Sequence, residues 1–144
     1  MTAQHDWNDP KVAEHTLRSY RVWAVVGCSS HPWRASHGVS RYLLSQGYGV
    51  VPINPNEEVV HGEVAYPDLA SVPTAIEVVD IFRRSELVMP HVTEAIAIGA
   101  KAIWMQLGVW NEAAAELASD AGLDVVMDRC PAIDHPVMIG SRTA

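Results

Sequence analysis

Cysteine is nearly absent: Cys28 and Cys130 are the only two in 144 residues. Thiols so far apart do not make a disulfide scaffold, and neither lies in a C-x-x-C pair of the kind that holds structural zinc or exchanges disulfides. Their scarcity suits a reducing, cytoplasmic setting. A membrane signature is missing too, since no apolar run approaches the ~20 residues of a span. The opening Met1-Thr2-Ala3-Gln4-His5-Asp6 is polar and acidic where a secretory signal is basic and then apolar. Basic residues are in deficit, with 10 Lys plus Arg against 17 Asp plus Glu and a formal net charge of −7. That balance excludes broad nucleic-acid binding, which needs a net basic field. Any anionic ligand must be met locally.

What is present has the balance of one globular domain over residues 1–144, at 49% hydrophobic and 19% charged side chains. A chain this long buries roughly 68–70% of its unfolded surface and needs no disulfide or metal to complete a core. Asp9-Pro10 reads as a helix start, with Asp9 as N-cap and Pro10 where its missing N–H costs nothing, so residues 1–20 form a lead-in helix. Val22-Trp23-Ala24-Val25-Val26 is a continuous apolar run suited to a parallel strand buried on both faces. Ser36 to Gln46 carries Val39, Tyr42 and Leu43 at helical spacing and stops at Gly47. Val50 to Ile53 is a second strand, which Pro52 moves toward a sheet edge. Asn54-Pro55-Asn56 then turns into a loop containing Gly62 and Pro67.

Ala75 to Phe82 is a third strand, and Ser85 to Ile98 a helix whose Pro90 demands either a start near Met89 or a kink. Ala102 to Met105 is a fourth strand, Asn111 to Ala121 a further helix, and Leu123 to Met127 a fifth strand. The stretch 136–144 looks loosely held. Strands alternating with helices in this way imply right-handed crossovers, hence an α/β, doubly wound, Rossmann-like five-stranded parallel sheet with helices on both faces. If the third strand lay outermost beside the second, only the fourth would separate the first from the fifth. Cys28 and Cys130 would then sit at about 9.6 Å, beyond disulfide reach.

In such a sheet, ligands bind at the carboxyl ends of the strands. Four of the ten basic residues, Arg34, Arg83, Arg84 and Arg129, fall on that rim. Arginine there matches phosphate geometry and points to a polyanionic ligand such as a nucleotide. Arg83-Arg84 could instead be a solvated helix entrance, and Arg129 could pair with Asp128 or Asp134. Trp104, inside an apolar strand, is expected in the core. The first turn offers Gly27 and then no glycine until Gly38, so G-x-G-x-x-G is missing, and Ile53-Asn54-Pro55 supplies no acid for a ribose hydroxyl. Both absences count against NAD. His31, His37, His61 and His91 match no zinc spacing, and the neighbours Asp134 and His135 read as a polar turn.

At these residues the chain resembles the small stand-alone CoA-binding domains related to the N-terminal domain of the succinyl-CoA synthetase alpha subunit. The similarity runs from Arg21 to His135. It rests on Val25-Val26-Gly27-Cys28-Ser29, Pro52-Ile53-Asn54-Pro55, Val79-Asp80-Ile81-Phe82-Arg83-Arg84, Trp104 to Val109, and Val126-Met127-Asp128-Arg129-Cys130. The resemblance implies a CoA or acyl-CoA site, with Gly27, Ser29 and Arg34 near the phosphates and Asn54-Pro55 near the adenosine. Phe82-Arg83 and Gln106-Leu107-Gly108 would line the pantetheine path. Cys28 departs from the aliphatic residue common there. The synthetase's phosphorylated histidine belongs to a second domain, so the histidines here inherit no catalytic role, and no nucleophile with an evident base can be assembled.

The expectation is a cytoplasmic CoA-binding protein without catalytic machinery, with no nucleic-acid or membrane partner. An NAD(P)-dependent oxidoreductase fragment is an alternative favoured by fold analogy alone. A ligand-free interaction module, acting as a homodimer or on an unknown protein partner, is another. A mixed disulfide between a protein thiol and CoA would require a poised thiolate, against a default of buried, inert cysteines.

Overall fold

The computed structural model describes residues 6–140. Asp9 caps α1 (Pro10–Ser19) by accepting the Lys11 N–H at 2.9 Å, with Pro10 in the first turn as the sequence requires. The apolar runs become β1 (Val22–Val26), β2 (Gly49–Ile53), β5 (Val78–Ile81), β6 (Ala102–Met105) and β7 (Asp124–Val126). Between them stand α2 (Ala35–Ser45), α3 (Met89–Ala97) and α4 (Glu112–Asp120), and α5 (Pro131–Met138) closes the fold. Pro90 sits in the first turn of α3, after a short 3-10 turn at Ser85–Leu87, so the helix starts late rather than kinking. No helix among the described residues is long and apolar enough to cross a membrane.

The five strands form one parallel sheet in the order β2-β1-β5-β6-β7. β2, the strand with Pro52, is at the edge, as proline's missing donor favours. The third strand of the sequence reading, β5, pairs directly with β1 rather than lying outside the second. The third strand therefore does not lie outermost, and β1 is separated from β7 by two strands, about 14 Å at normal spacing. The crossover helices are divided between the faces: α3 and α4 cover one, while α1, α2 and α5 cover the other. Side chains alternate accordingly, with Val79 and Ile81 packing toward α3 and α4 and Val78 toward the opposite layer. Trp104 is fully buried in that second layer against Trp23, their ring centroids 5.5 Å apart.

A hairpin and a closing helix were not foreseen. The loop after Asn54-Pro55 contains a small antiparallel pair, β3 (Val59–Val60) and β4 (Glu63–Val64), joined by His61-Gly62. Both turn residues have positive φ, 55° and 78°, as a two-residue hairpin turn needs. The expected loose C-terminal stretch is helical as far as Met138, and Met138 and Ile139 pack against the core. Residues 1–5 of the expected lead-in and 141–144 of the tail lie outside the described residues.

The crossing from β1 into its loop depends on Gly27. Its φ is +83°, and a Cβ there would stand 2.6 Å from the Phe82 carbonyl oxygen at the end of β5. Gly27→Ala should therefore cost about 1–3 kcal/mol, combining left-handed strain with a backbone clash. A thermal melt should show the midpoint falling by several degrees. An unchanged midpoint would mean the two strand ends are not held this closely.

Candidate functional site

The carboxyl ends of β1, β2, β5 and β6 open onto one rim, which holds two adjoining clefts. The larger, about 650 Å³, lies between the loop after β1 and the turn after β2, and the smaller, about 370 Å³, runs toward the end of β6. Gly27, Arg34, Phe82 and Arg83 line both. Ser29, Asn54 and Pro55 line the larger, and Gln106, Leu107 and Gly108 the smaller. All ten residues singled out from the sequence thus surround one continuous depression.

Several of them shape the rim rather than offer free groups. Ser29 donates its N–H to Ser36 Oγ at 3.1 Å and accepts the His31 N–H on its own Oγ at 3.0 Å, fixing the loop as it turns into α2. Asn54 ties the second strand to the first, with Nδ2 donating to the Cys28 carbonyl at 3.0 Å while Oδ1 accepts the Asn56 N–H at 3.0 Å. Gly108 donates its N–H to Asp128 Oδ1 at 2.7 Å, and Asp128 takes a left-handed backbone, φ 56°, to present that oxygen.

The four rim arginines divide sharply. Arg129 grips Asp134 with Nε at 2.7 Å and Nη2 at 3.0 Å, and its Nη1 reaches the Asn8 carbonyl at 3.1 Å. It pins the β7–α5 junction to the segment before α1, which decides the open question of its role in favour of structure. Arg84 pairs with Glu86 at 3.5 Å in the open solvent. The Arg34 and Arg83 guanidiniums have no hydrogen bond or ion pair to any described residue, although both side chains line the clefts. Unpaired arginines on an acidic protein, aimed at a polar depression, form a local cationic site of the kind phosphate favours.

Sequence reasoning missed His91 and Glu57. His91, in the first turns of α3, lines the larger cleft, and burial together with the nearby Arg83 charge lowers its pKa, favouring the neutral ring. Glu57 is brought back by the Asn54 turn, its backbone N–H donating to the Asn54 carbonyl at 3.2 Å. Its carboxylate accepts the Ser30 N–H at 2.6 Å. The acid that the end of the second strand itself does not supply is thus present three residues later. It is engaged by the first loop.

Beneath the smaller cleft, Gln106 Oε1 is buried without a hydrogen-bond partner. A buried acceptor left unpaired costs about 1–3 kcal/mol. Asp134 and His135 do not face each other. Asp134 takes Arg129, while His135 Nδ1 meets the Tyr42 hydroxyl at 2.8 Å. Both cysteines are buried, and burial pushes both thiols up, away from the thiolate that exchange with a ligand thiol requires. His37 and His61 lie 4.4 Å apart between ring centroids, but no group of three or more metal-ligating side chains occurs among the described residues.

The sequence matches the profile of the CoA binding domain family over residues 21–136. The chain belongs to that family. Protein YneT of Bacillus subtilis (strain 168) is 35% identical to this CoA-binding-domain chain over 127 residues, spanning 88% of it and 93% of the relative. A hypothetical protein from Pyrococcus horikoshii OT3 has the same fold, with TM-score 0.89, 38% identity, and coverage of 97% of this chain and 99% of that one. The apo form of a dinucleotide-forming acetyl-coenzyme A synthetase 1 from Ca. Korarchaeum cryptofilum is also similar, with TM-score 0.65 and 26% identity over 76% of this chain. There the CoA-binding-domain chain covers 26% of the larger protein.

Proposed function

We propose that this chain is a cytoplasmic CoA- or acyl-CoA-binding protein, related to the N-terminal domain of the succinyl-CoA synthetase alpha subunit, that carries no ligase chemistry of its own. The observation that carries the reading is the pair Arg34 and Arg83, unpaired guanidiniums on one polar depression at the carboxyl ends of a parallel sheet. In this reading Arg34 and Arg83 take the ligand's phosphates, and Gly27 gives them close approach to the backbone. Ser29 holds the first loop beside the phosphates, and Asn54 and Pro55 frame the adenosine. Phe82, Gln106, Leu107 and Gly108 line the path of the pantetheine arm through the smaller cleft. Family membership supports the ligand class.

An NAD(P) site is disfavoured by the missing glycine fingerprint and by the engagement of Glu57 with Ser30 rather than with an open ribose position. Thermal melts with CoA, dephospho-CoA, NAD and NADP at equal excess separate the readings. Ligand at a hundredfold its dissociation constant adds about 2.7 kcal/mol, a shift of several degrees in a domain of this size. The expected pattern is a rise with CoA, a smaller one with dephospho-CoA and none with NAD. An equal rise with NAD would overturn the proposal.

A further inference from the structure

We propose that Glu57 is a built-in anion surrogate: in the free protein its carboxylate occupies the Ser30 N–H, and it must leave that position when the ligand's diphosphate arrives. This rests on reading the larger cleft as the phosphate end of the CoA site. Ser30 and Glu57 both line that cleft, together with Arg34 and Arg83. The bond between them is short, 2.6 Å, and links the first loop to the turn after β2 across the mouth of the depression. Glu57 stays ionised because the Ser30 N–H, and to a lesser degree His31, holds its carboxyl below the ordinary range.

An ionised carboxylate and a phosphoryl oxygen ask the same of a backbone N–H. The first loop has few such donors to spare: the Ser29 N–H is committed to Ser36 and the His31 N–H to Ser29. Two anions cannot share the Ser30 donor, and a carboxylate left beside a bound diphosphate would repel it. The backbone carrying Glu57 is anchored, since Asn54 donates its N–H to Tyr66 at 2.9 Å and Tyr66 donates to Pro52 at 3.0 Å. Rotation of the side chain alone therefore clears the site. Glu57 sets both the affinity of the cleft and its selectivity among anions: a weakly held anion does not displace it, whereas a diphosphate that also engages Arg34 and Arg83 does.

The test compares the parent chain with Glu57→Gln, which keeps an acceptor for Ser30 without the charge, and Glu57→Ala, which removes both. Affinities for CoA, inorganic pyrophosphate and adenosine are measured by calorimetry. Both variants should bind CoA and pyrophosphate about ten- to a hundredfold more tightly, with alanine gaining at least as much as glutamine, and adenosine unchanged. Equal or weaker CoA binding by both variants would overturn the inference while leaving the CoA reading intact, since Glu57 would then be a ligand contact or a loop clasp. Tighter pyrophosphate binding by the variants with no CoA binding by any protein would support the surrogate and sink the CoA reading. No binding of either anion by any of the three would overturn both. If Glu57→Ala fails to fold, Glu57→Gln with its retained hydrogen bond decides the matter.

Discussion

Replacing Arg34 and Arg83 together by alanine should weaken CoA binding at least a hundredfold and leave the fold intact. Each guanidinium is exposed and free of protein partners, so its removal orphans nothing inside the protein. Each hydrogen bond to a charged phosphate is worth about 1.5–3 kcal/mol, and a tenfold change in affinity corresponds to about 1.4 kcal/mol. The loss from two such contacts therefore falls roughly between a hundredfold and ten-thousandfold. Arg129→Ala is the instructive contrast. It breaks the bidentate grip on Asp134 and should lower the melting midpoint while changing CoA affinity little. Calorimetric titration and a melt on each variant check both halves. If the double variant binds CoA like the parent, the cationic pair is a solvated surface and the ligand lies elsewhere.

The second large effect concerns Asp80, which takes no part in the proposed binding. Its side chain is fully buried in the central strand β5 and neither carboxylate oxygen has a partner. In the ladder it stands between Val25 and Trp104, on the face covered by α1, α2 and α5. Burial holds its pKa well above the ordinary carboxylate range. A carboxyl whose folded-state pKa is raised contributes stability that is complete below its unfolded value, about 3.9, and is lost as pH rises through the folded value. The parent protein should thus lose stability from mildly acidic toward alkaline pH. Asp80→Val removes the acid without changing the pleat.

That variant should gain about 1–3 kcal/mol at alkaline pH, a midpoint rise of roughly 3–10 °C, and the gain should shrink toward pH 4. Melts across pH check the slope as well as the size. A variant less stable than its parent at alkaline pH would mean that Asp80 has a compensating partner. CoA affinity should stay within a few-fold of the parent, because Asp80 lines neither cleft.

How much of this could be read from the chain alone follows from where the information lies. Runs such as Val22-Trp23-Ala24-Val25-Val26 and Ala102-Ile103-Trp104-Met105 announce buried parallel strands because no polar residue interrupts them. Asp9, Asn111 and Pro90 mark helix starts by local chemistry. Strand order was not legible, because β1, β5 and β6 are all buried, largely apolar runs and nothing in their composition says which neighbours which. The β3–β4 pair escaped notice because its strands are two residues each and its turn uses His61 where Asn or Gly would have signalled φ above zero. α5 was hidden by Pro136 within it, which ordinarily argues against a helix.

The site was more legible than the fold's connectivity. Position at a strand end plus resemblance singled out ten residues that the structure places around two adjoining clefts. What they did not reveal was division of labour. That Arg129 is consumed by Asp134 and Arg34 is not, or that Glu57 returns to the first loop, depends on distances between segments remote in sequence. Asp80 reads as one polar residue in a strand, and only its fully buried, unpartnered position makes it a destabilising acid.

The most direct test of the central claim is an amide NMR titration of the parent protein with CoA, which reports ligand and location together. Saturable shifts are expected to concentrate at Gly27 to Arg34, Asn54 to Glu57, Phe82 to Arg84 and Gln106 to Gly108. Ser30 should be among the largest as its N–H exchanges a carboxylate for a phosphate. Saturable shifts confined to other surfaces, or none at all with CoA in large excess, would contradict the claim.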